Sequence, residues 1–123
     1  MTQTQTEKRD ELIQRIINNG GLSISHATMR NCDLIPVFLE TLSILNPERV
    51  IEKFYGDADL DNALCDLKYG IENPYFETDA ATETTNQLFD LLNENAPENY
   101  YFGAHIGDSS DYGFWLNEDA EVF

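Results

Sequence analysis

Sixteen carboxylates and a single base, Lys68, occupy the last seventy residues of this chain. The net charge from Phe54 onward is −15, whereas the first 53 residues hold seven acids and six bases and sum to −1. From Tyr69 to the end there is no Lys or Arg, against twelve Asp and Glu. Like charges gathered in one half of a fold raise its energy by self-repulsion, and the same field attracts cations and basic protein surfaces. Any fold must bury enough apolar surface to outweigh that repulsion. Seven Phe, six Tyr and one Trp, within an apolar fraction of 41%, are sufficient for a core. The chain is therefore not a disordered acidic tail.

At 123 residues the length fits one domain over residues 1–123, with the Thr/Gln-rich stretch 1–6 expected to be disordered. Residues 1–11 are polar and lack the apolar core of a secretory signal. No apolar run approaches a membrane span. Cys32 and Cys65 lie 33 residues apart and match no disulfide or metal pattern. Together these features predict a cytoplasmic protein with free, buried, reduced thiols.

The periodicity changes along the chain. Leu12, Ile13, Ile16 and Ile17 form a helical stripe over 7–19, ended by Gly20-Gly21. Residues 22–27 alternate and suit a short strand. Asp33 is placed to cap a second helix over 34–45, with Pro36 inside its tolerant first turn. Asn46-Pro47 starts a third helix that stops near Gly56. A fourth runs over 60–69, and a fifth over 80–95, capped by Asp79 and ended by Pro97. After residue 99 the period becomes two. Tyr100, Phe102, Ala104 and Ile106 alternate with Tyr101, Gly103 and His105. Beyond Gly107-Asp108-Ser109-Ser110, Tyr112, Phe114 and Leu116 alternate with Gly113 and Trp115. This predicts a hairpin of 100–106 with 112–117, and 22–27 as a third strand. The fold class is α+β: about five helices and a small antiparallel sheet built on a C-terminal β-hairpin.

Few residues carry chemistry. Asp57, Asp59 and Asp61 open a D-x-D-x-D calcium pattern, but Asn62 replaces the turn glycine and Lys68 the bidentate glutamate. These acids read instead as a helix start, where carboxylates favour the macrodipole. His26, Cys32, Cys65 and His105 fit no zinc spacing, and no phosphate-binding glycine motif is present. The chain is expected to be no enzyme and to need no metal or cofactor. Direct binding of nucleic acid is excluded by the scarcity of Lys and Arg in the acidic half, because phosphate contacts require them.

Imitation of nucleic acid fits the charge better. B-DNA carries a charge every ~1.7 Å of axis, or about one per 100 Å² of its surface. A folded 14 kDa chain exposes about 6,700 Å², so fifteen charges on half of it come to about one per 220 Å². Mimicry then demands that the acids gather on one face. The hairpin adds a second element: Tyr101, His105 and Trp115 on its second face are candidate contact aromatics, since Tyr and Trp anchor interfaces. The alternative for that face is a sheet covered by helices on both sides.

Size, acid excess and the helix-plus-hairpin mix resemble small acidic proteins of phages and mobile elements, including DNA-mimic antirestriction and anti-CRISPR proteins. The segments 25–36, Ser25-His26-Ala27-Thr28 through Ile35-Pro36, and 101–115, Tyr101-Phe102-Gly103-Ala104-His105 through Tyr112-Gly113-Phe114-Trp115, are similar to text in phage proteins. The resemblance implies a non-enzymatic, phage-encoded inhibitor in the host cytoplasm. It would block the nucleic-acid-binding surface of a defence nuclease, a CRISPR effector or a restriction enzyme. The alternative is an acidic adaptor or immunity-type protein that binds a basic partner without imitating DNA. On charge and exposure, the candidate partner-binding residues are Asp57, Asp59, Asp61, Asp66, Tyr101, Asp108, Asp111, Trp115, Glu118 and Asp119.

Overall fold

Helical periodicity up to residue 95, broken by one short alternating stretch, and strand periodicity beyond it give, among the described residues, five helices and a three-stranded antiparallel sheet, the expected α+β class. The computed structural model describes residues 4–26, 28, 30–105 and 107–116. Helix α1, Gln5–Asn18, begins two residues before the expected start, because Thr4 caps it by accepting from the Glu7 amide at 3.1 Å. Strand β1, Gly21–Ser25, follows after Gly20, whose φ of 64° ends the helix in the left-handed region.

Helix α2, Asn31–Leu45, corrects the expected cap. Asp33 lies inside its first turn and accepts from Thr28 Oγ1 at 2.6 Å. Helix α3, Pro47–Phe54, has the predicted Asn46 cap and Pro47 at its first position. Asp57 caps α4, Ala58–Lys68, by accepting from the Leu60 amide at 3.2 Å. A single 3-10 turn, Pro74–Glu77, fills the link expected to be irregular. Thr78, not Asp79, caps α5, Asp79–Glu94, since its hydroxyl reaches the Ala81 amide and leaves the carboxylate to solvent.

Strands β2, Tyr100–His105, and β3, Asp108–Leu116, pair as the predicted hairpin. The turn is shorter than expected: β3 already starts at Asp108, and a register shift between Ala104 and His105 takes up the extra residues. Ile106 and Ala27 lie outside the described residues. The third strand pairs with β3, so the order is β1-β3-β2. At its centre Gly113 sits against Ser23 of β1 and Gly103 of β2. A Cβ on Gly113 would stand 2.2 Å from the Leu22 carbonyl oxygen, so only glycine permits β1 to approach there.

The inner face of the sheet carries Phe102, Tyr112 and Phe114, and helices α2 and α5 cover it. Phe38 of α2 is fully buried and meets Phe89, Phe102 and Tyr112 edge-on, with centroids 5.4, 5.2 and 6.0 Å apart. Leu12 and Ile16 of α1, Leu60 and Ala63 of α4, and Leu88 and Leu92 of α5 extend this core. A polar joint fixes α2 to α5. The Asn31 amide donates to the Phe76 carbonyl at 3.0 Å and to Thr82 Oγ1 at 3.2 Å, while Thr85 Oγ1 donates to Asn31 Oδ1 at 2.9 Å. The outer edge of β2 is also met: the Phe102 amide donates to Asn93 Oδ1 of α5 at 3.1 Å and the Tyr100 amide to the Pro97 carbonyl at 3.0 Å. Both cysteines are free thiols, but Cys65 is exposed and Cys32 half-buried, contrary to the expected burial. Cys65 falls on the outward side of α4, opposite Leu60 and Ala63.

Phe38→Ala is expected to lower the unfolding free energy by about 3–5 kcal/mol, as for other buried aromatic truncations. Tyr55→Ala, at a side chain 86% exposed, should stay within about 0.5 kcal/mol. Urea midpoints of the two variants check the contrast.

Candidate functional site

The charge excess resolves into a surface on α4 and α5. On α5, Asp79, Glu83, Asp90 and Glu94 are all exposed and follow one another at helical spacings of four, seven and four residues. That spacing puts them on one stripe of the helix. The stripe runs about 22 Å, or about one carboxylate per 7 Å. No Lys or Arg lies on α5. Across a cleft of 340 Å³, Glu83 faces Asp57 and Asp59 of α4, with Lys53, Tyr75, Thr84 and Gln87 also lining it. The helices hold this geometry because their inner sides are apolar: Leu60 and Ala63 on α4, and Ala81, Leu88, Leu91 and Leu92 on α5.

Among the described residues, none of the eleven carboxylates from Asp57 to Glu98 pairs with a basic group. The ion pairs that do form, Arg9–Asp10 and Arg49–Glu52, belong to the first half of the chain, and His26–Asp111 to the sheet. Some of the eleven are occupied by hydrogen bonds. Asp57 is a helix cap, and Asp66 accepts from Asn73 Nδ2 at 2.8 Å. Asp66 is therefore a brace between α4 and the following link rather than an open contact residue. Asp59 and Asp61 are exposed, but only Asp59 lines the cleft.

The sheet supplies a second, separate surface. Its outer face is turned away from α2 and α5, which pack on its inner face. Tyr101, paired with Trp115 across β2 and β3, and Trp115 itself are half-buried and stand apart from the core. Trp115 Nε1 donates to the Gly103 carbonyl at 2.9 Å, so the indole leans across a position with no side chain. His105 packs against the indole, with centroids 4.7 Å apart and planes at 81°. Asp111 shares this face. It accepts a hydrogen bond from Ser23 Oγ, and His26 Nδ1 stands 3.7 Å from its other oxygen.

The fold therefore does not join all the predicted residues in one site. Asp57, Asp59 and Asp61 lie with the helices, and Tyr101, Asp111 and Trp115 lie on the far side of the sheet. Asp108 is at the start of β3 with its side chain outside the described residues, as are Glu118 and Asp119 entirely. The sequence reading missed Asp79, Glu83, Asp90 and Glu94, although their helical spacing is visible in the sequence. The calcium-like Asp57, Asp59 and Asp61 make no metal cluster: no group of three or more His, Cys, Asp or Glu side chains is arranged to hold a metal among the described residues. No helix among them is long and apolar enough to cross a membrane. The chain matches no family model, and no curated protein or solved structure matches it.

Two like charges ~10 Å apart in water repel by about 0.4 kcal/mol, and many such pairs act here. Molar salt shortens the screening length to ~3 Å, so the melting temperature is expected to rise between low salt and 1 M NaCl. Relief of about 1 kcal/mol corresponds to about 4 °C in a domain of this size. A flat or falling curve in differential scanning calorimetry would show that the carboxylates do not strain the fold. In the same instrument EDTA should leave the transition unmoved, and a drop in melting temperature would make Asp57 and Asp59 the first ligands to examine.

Proposed function

We propose that this chain is a non-enzymatic inhibitor that binds a basic, nucleic-acid-binding surface of another protein and competes with the nucleic acid there. A host defence nuclease, a CRISPR effector or a restriction enzyme, is the class of target that fits, with a phage as the source. What carries the reading is the row of exposed carboxylates on α5, none in an ion pair among the described residues, with Asp57 and Asp59 beside it. The accessible surface of 7965 Å² gives a half-surface density of about one charge per 270 Å², well below the value of about one per 100 Å² for B-DNA. Averaged charge therefore does not imitate DNA. The stripe comes closer: about one charge per 7 Å is half the linear density of a single strand, which has a phosphate every ~3.4 Å. Exposed carboxylates at that spacing meet Lys and Arg placed to follow a backbone, and binding releases little of its strength from any one pair.

The second reading, an adaptor that binds a basic partner without imitating DNA, is favoured by one observation. The aromatic face of the sheet lies away from the acidic stripe and offers a contact that needs no carboxylate row. Competition separates the two. Capture of the partner from a host lysate, followed by titration with a short DNA duplex, should displace the inhibitor. A ternary complex of chain, partner and duplex would instead establish the adaptor.

Charge reversal tests the surface itself. Asp57 is left unchanged, because losing a helix cap costs about 1 kcal/mol in stability alone. Single Asp59→Asn, Glu83→Gln and Asp90→Asn changes should each weaken binding by no more than about fivefold, the range of exposed ion pairs. The triple change D59K/E83K/D90K is expected to weaken it by about 100-fold, or about 2.7 kcal/mol, with the loss smaller at high salt. Calorimetric affinities at two salt concentrations, with circular dichroism to confirm folding, provide the check. A folded triple variant that binds like the parent removes the α5 stripe from the mechanism.

A further inference from the structure

Helix α4 ends in a cap whose usual apolar contact is replaced. Gly70, at a φ of 73°, reverses the chain. The Ile71 amide then donates to the Asp66 carbonyl at 2.8 Å and the Gly70 amide to the Leu67 carbonyl at 3.1 Å. In this motif the residue after the glycine commonly packs on an apolar side chain one turn back in the helix. Here those positions hold Cys65, an exposed thiol, and Asp66, whose carboxylate accepts from Asn73 Nδ2 at 2.8 Å. Ile71 stays 54% exposed, and Tyr69 before it 71%. The link is nonetheless pinned at its far end too, since Asn73 Oδ1 accepts from the Tyr75 amide at 2.9 Å. An apolar side chain is therefore held out on a fixed turn.

Ile71 lines a cleft of about 430 Å³ together with Leu67, Pro74, Phe76 and Cys32. That volume lies in the lower part of the range of ligand pockets, roughly 300–1,000 Å³. Glu72, Glu77 and Arg30 are its charged residues, two acids to one base, and among the described residues no ion pair joins them. The cleft adjoins the acidic surface. Glu77 stands two residues before Asp79, the first carboxylate of the α5 stripe. The 3-10 turn serves both clefts, Tyr75 lining the acidic one and Phe76 this one. So does α4: Asp59 lines the first and Leu67 the second, eight residues or about 12 Å along the helix. An interface of about 800 Å² per partner covers that distance.

We propose that this cleft receives an apolar side chain, leucine in kind, that the partner carries among its basic residues. The occupant follows from charge and from continuity with the stripe. A second copy of this chain would bring another net −16, whereas a cationic segment is drawn in by the field of the whole molecule. This anchor rests on the reading of the chain as a ligand of basic surfaces and adds a requirement to it. Exposed ion pairs contribute little one by one, and most binding energy in an interface comes from a few side chains that fill pockets. The stripe then supplies attraction, and the cleft supplies the hold.

The probe is a short basic peptide with one central leucine, compared with the same peptide carrying serine there. In calorimetry at low salt the leucine peptide is expected to bind the parent protein at least about tenfold more tightly. Alkylation of Cys32 by iodoacetamide, read by mass spectrometry, should slow about fivefold at a leucine-peptide concentration of about four times Kd. Cys65, which is exposed and does not line the cleft, is the reference thiol. Ile71→Ser, at an exposed side chain, should keep the circular dichroism of the parent and lose the leucine preference. Equal affinities for the two peptides, or no protection of Cys32, overturn the anchor while leaving the basic-surface reading intact. These two measurements need no variant to fold. A folded Ile71→Ser variant that keeps the preference also overturns it. No affinity for either peptide at low salt overturns both readings. A peptide with glutamine in place of its bases that binds as tightly as the basic one would give the cleft to an uncharged ligand. A dimer in sedimentation that Ile71→Ser dissociates would give it to a second copy. Either result overturns the basic occupant.

Discussion

The packing of Phe38 against Phe89, Phe102 and Tyr112 joins every layer of this molecule. One ring from α2 touches one from α5 and two from the sheet, all at near-perpendicular angles that suit the aromatic quadrupole. The need for such a contact follows from the charge. In a half of the chain with sixteen acids and one base, ion pairs cannot supply cohesion, so apolar burial has to. The helices that expose the carboxylates are the ones whose opposite sides carry Leu60, Ala63, Leu88 and Leu92 into that core. Burial thus holds the like charges of α4 and α5 in register against their own repulsion.

Much of the fold is legible in the sequence because it depends on local signals. Asn46-Pro47 starts α3 as expected, since a side-chain acceptor before a proline at the first position satisfies the turn within four residues. The switch to period two after residue 99 gives the hairpin and the inward set Tyr100, Phe102, Tyr112 and Phe114. Local signals fail where a distant partner competes. Asp33 has the character of a cap, but Asn31 is recruited by Thr85 of α5 and starts the helix earlier, while Asp33 turns to Thr28. The position of β1 beside β3 rather than β2 depends on Gly113, whose missing Cβ matters only once the Leu22 backbone lies against it.

The site was legible in part for the same reason. The sequence gives the sign and amount of charge, the aromatic face of the hairpin and the exposure of Asp59 and Asp61. It does not give their arrangement. Asp66 has the same composition signal as Asp59 but bonds to Asn73. Glu83 gains its place only because the 3-10 turn brings α5 back beside the start of α4, and Asp111 gains its fixed position from Ser23, 88 residues away. The outcome is two faces of different kind on opposite sides of the sheet, one a diffuse row of exposed carboxylates and the other a compact group of held side chains.

The bonds that close the outer edge of β2 have a consequence for how the protein behaves in a crowded solution. A strand at the border of a sheet is a template for another chain, and long open borders seed fibrils and exchanged dimers. Here the amides of Phe102 and Tyr100 are already taken by Asn93 and Pro97. An incoming strand would have to displace Asn93 and lie against α5 beside Asp90 and Glu94. The aromatic hairpin, the part of the chain most prone to stacking into cross-β assemblies, is thus sealed along this border by a neighbour that also repels its own kind. Along this border a strongly acidic chain is in this way kept from pairing with its own copies.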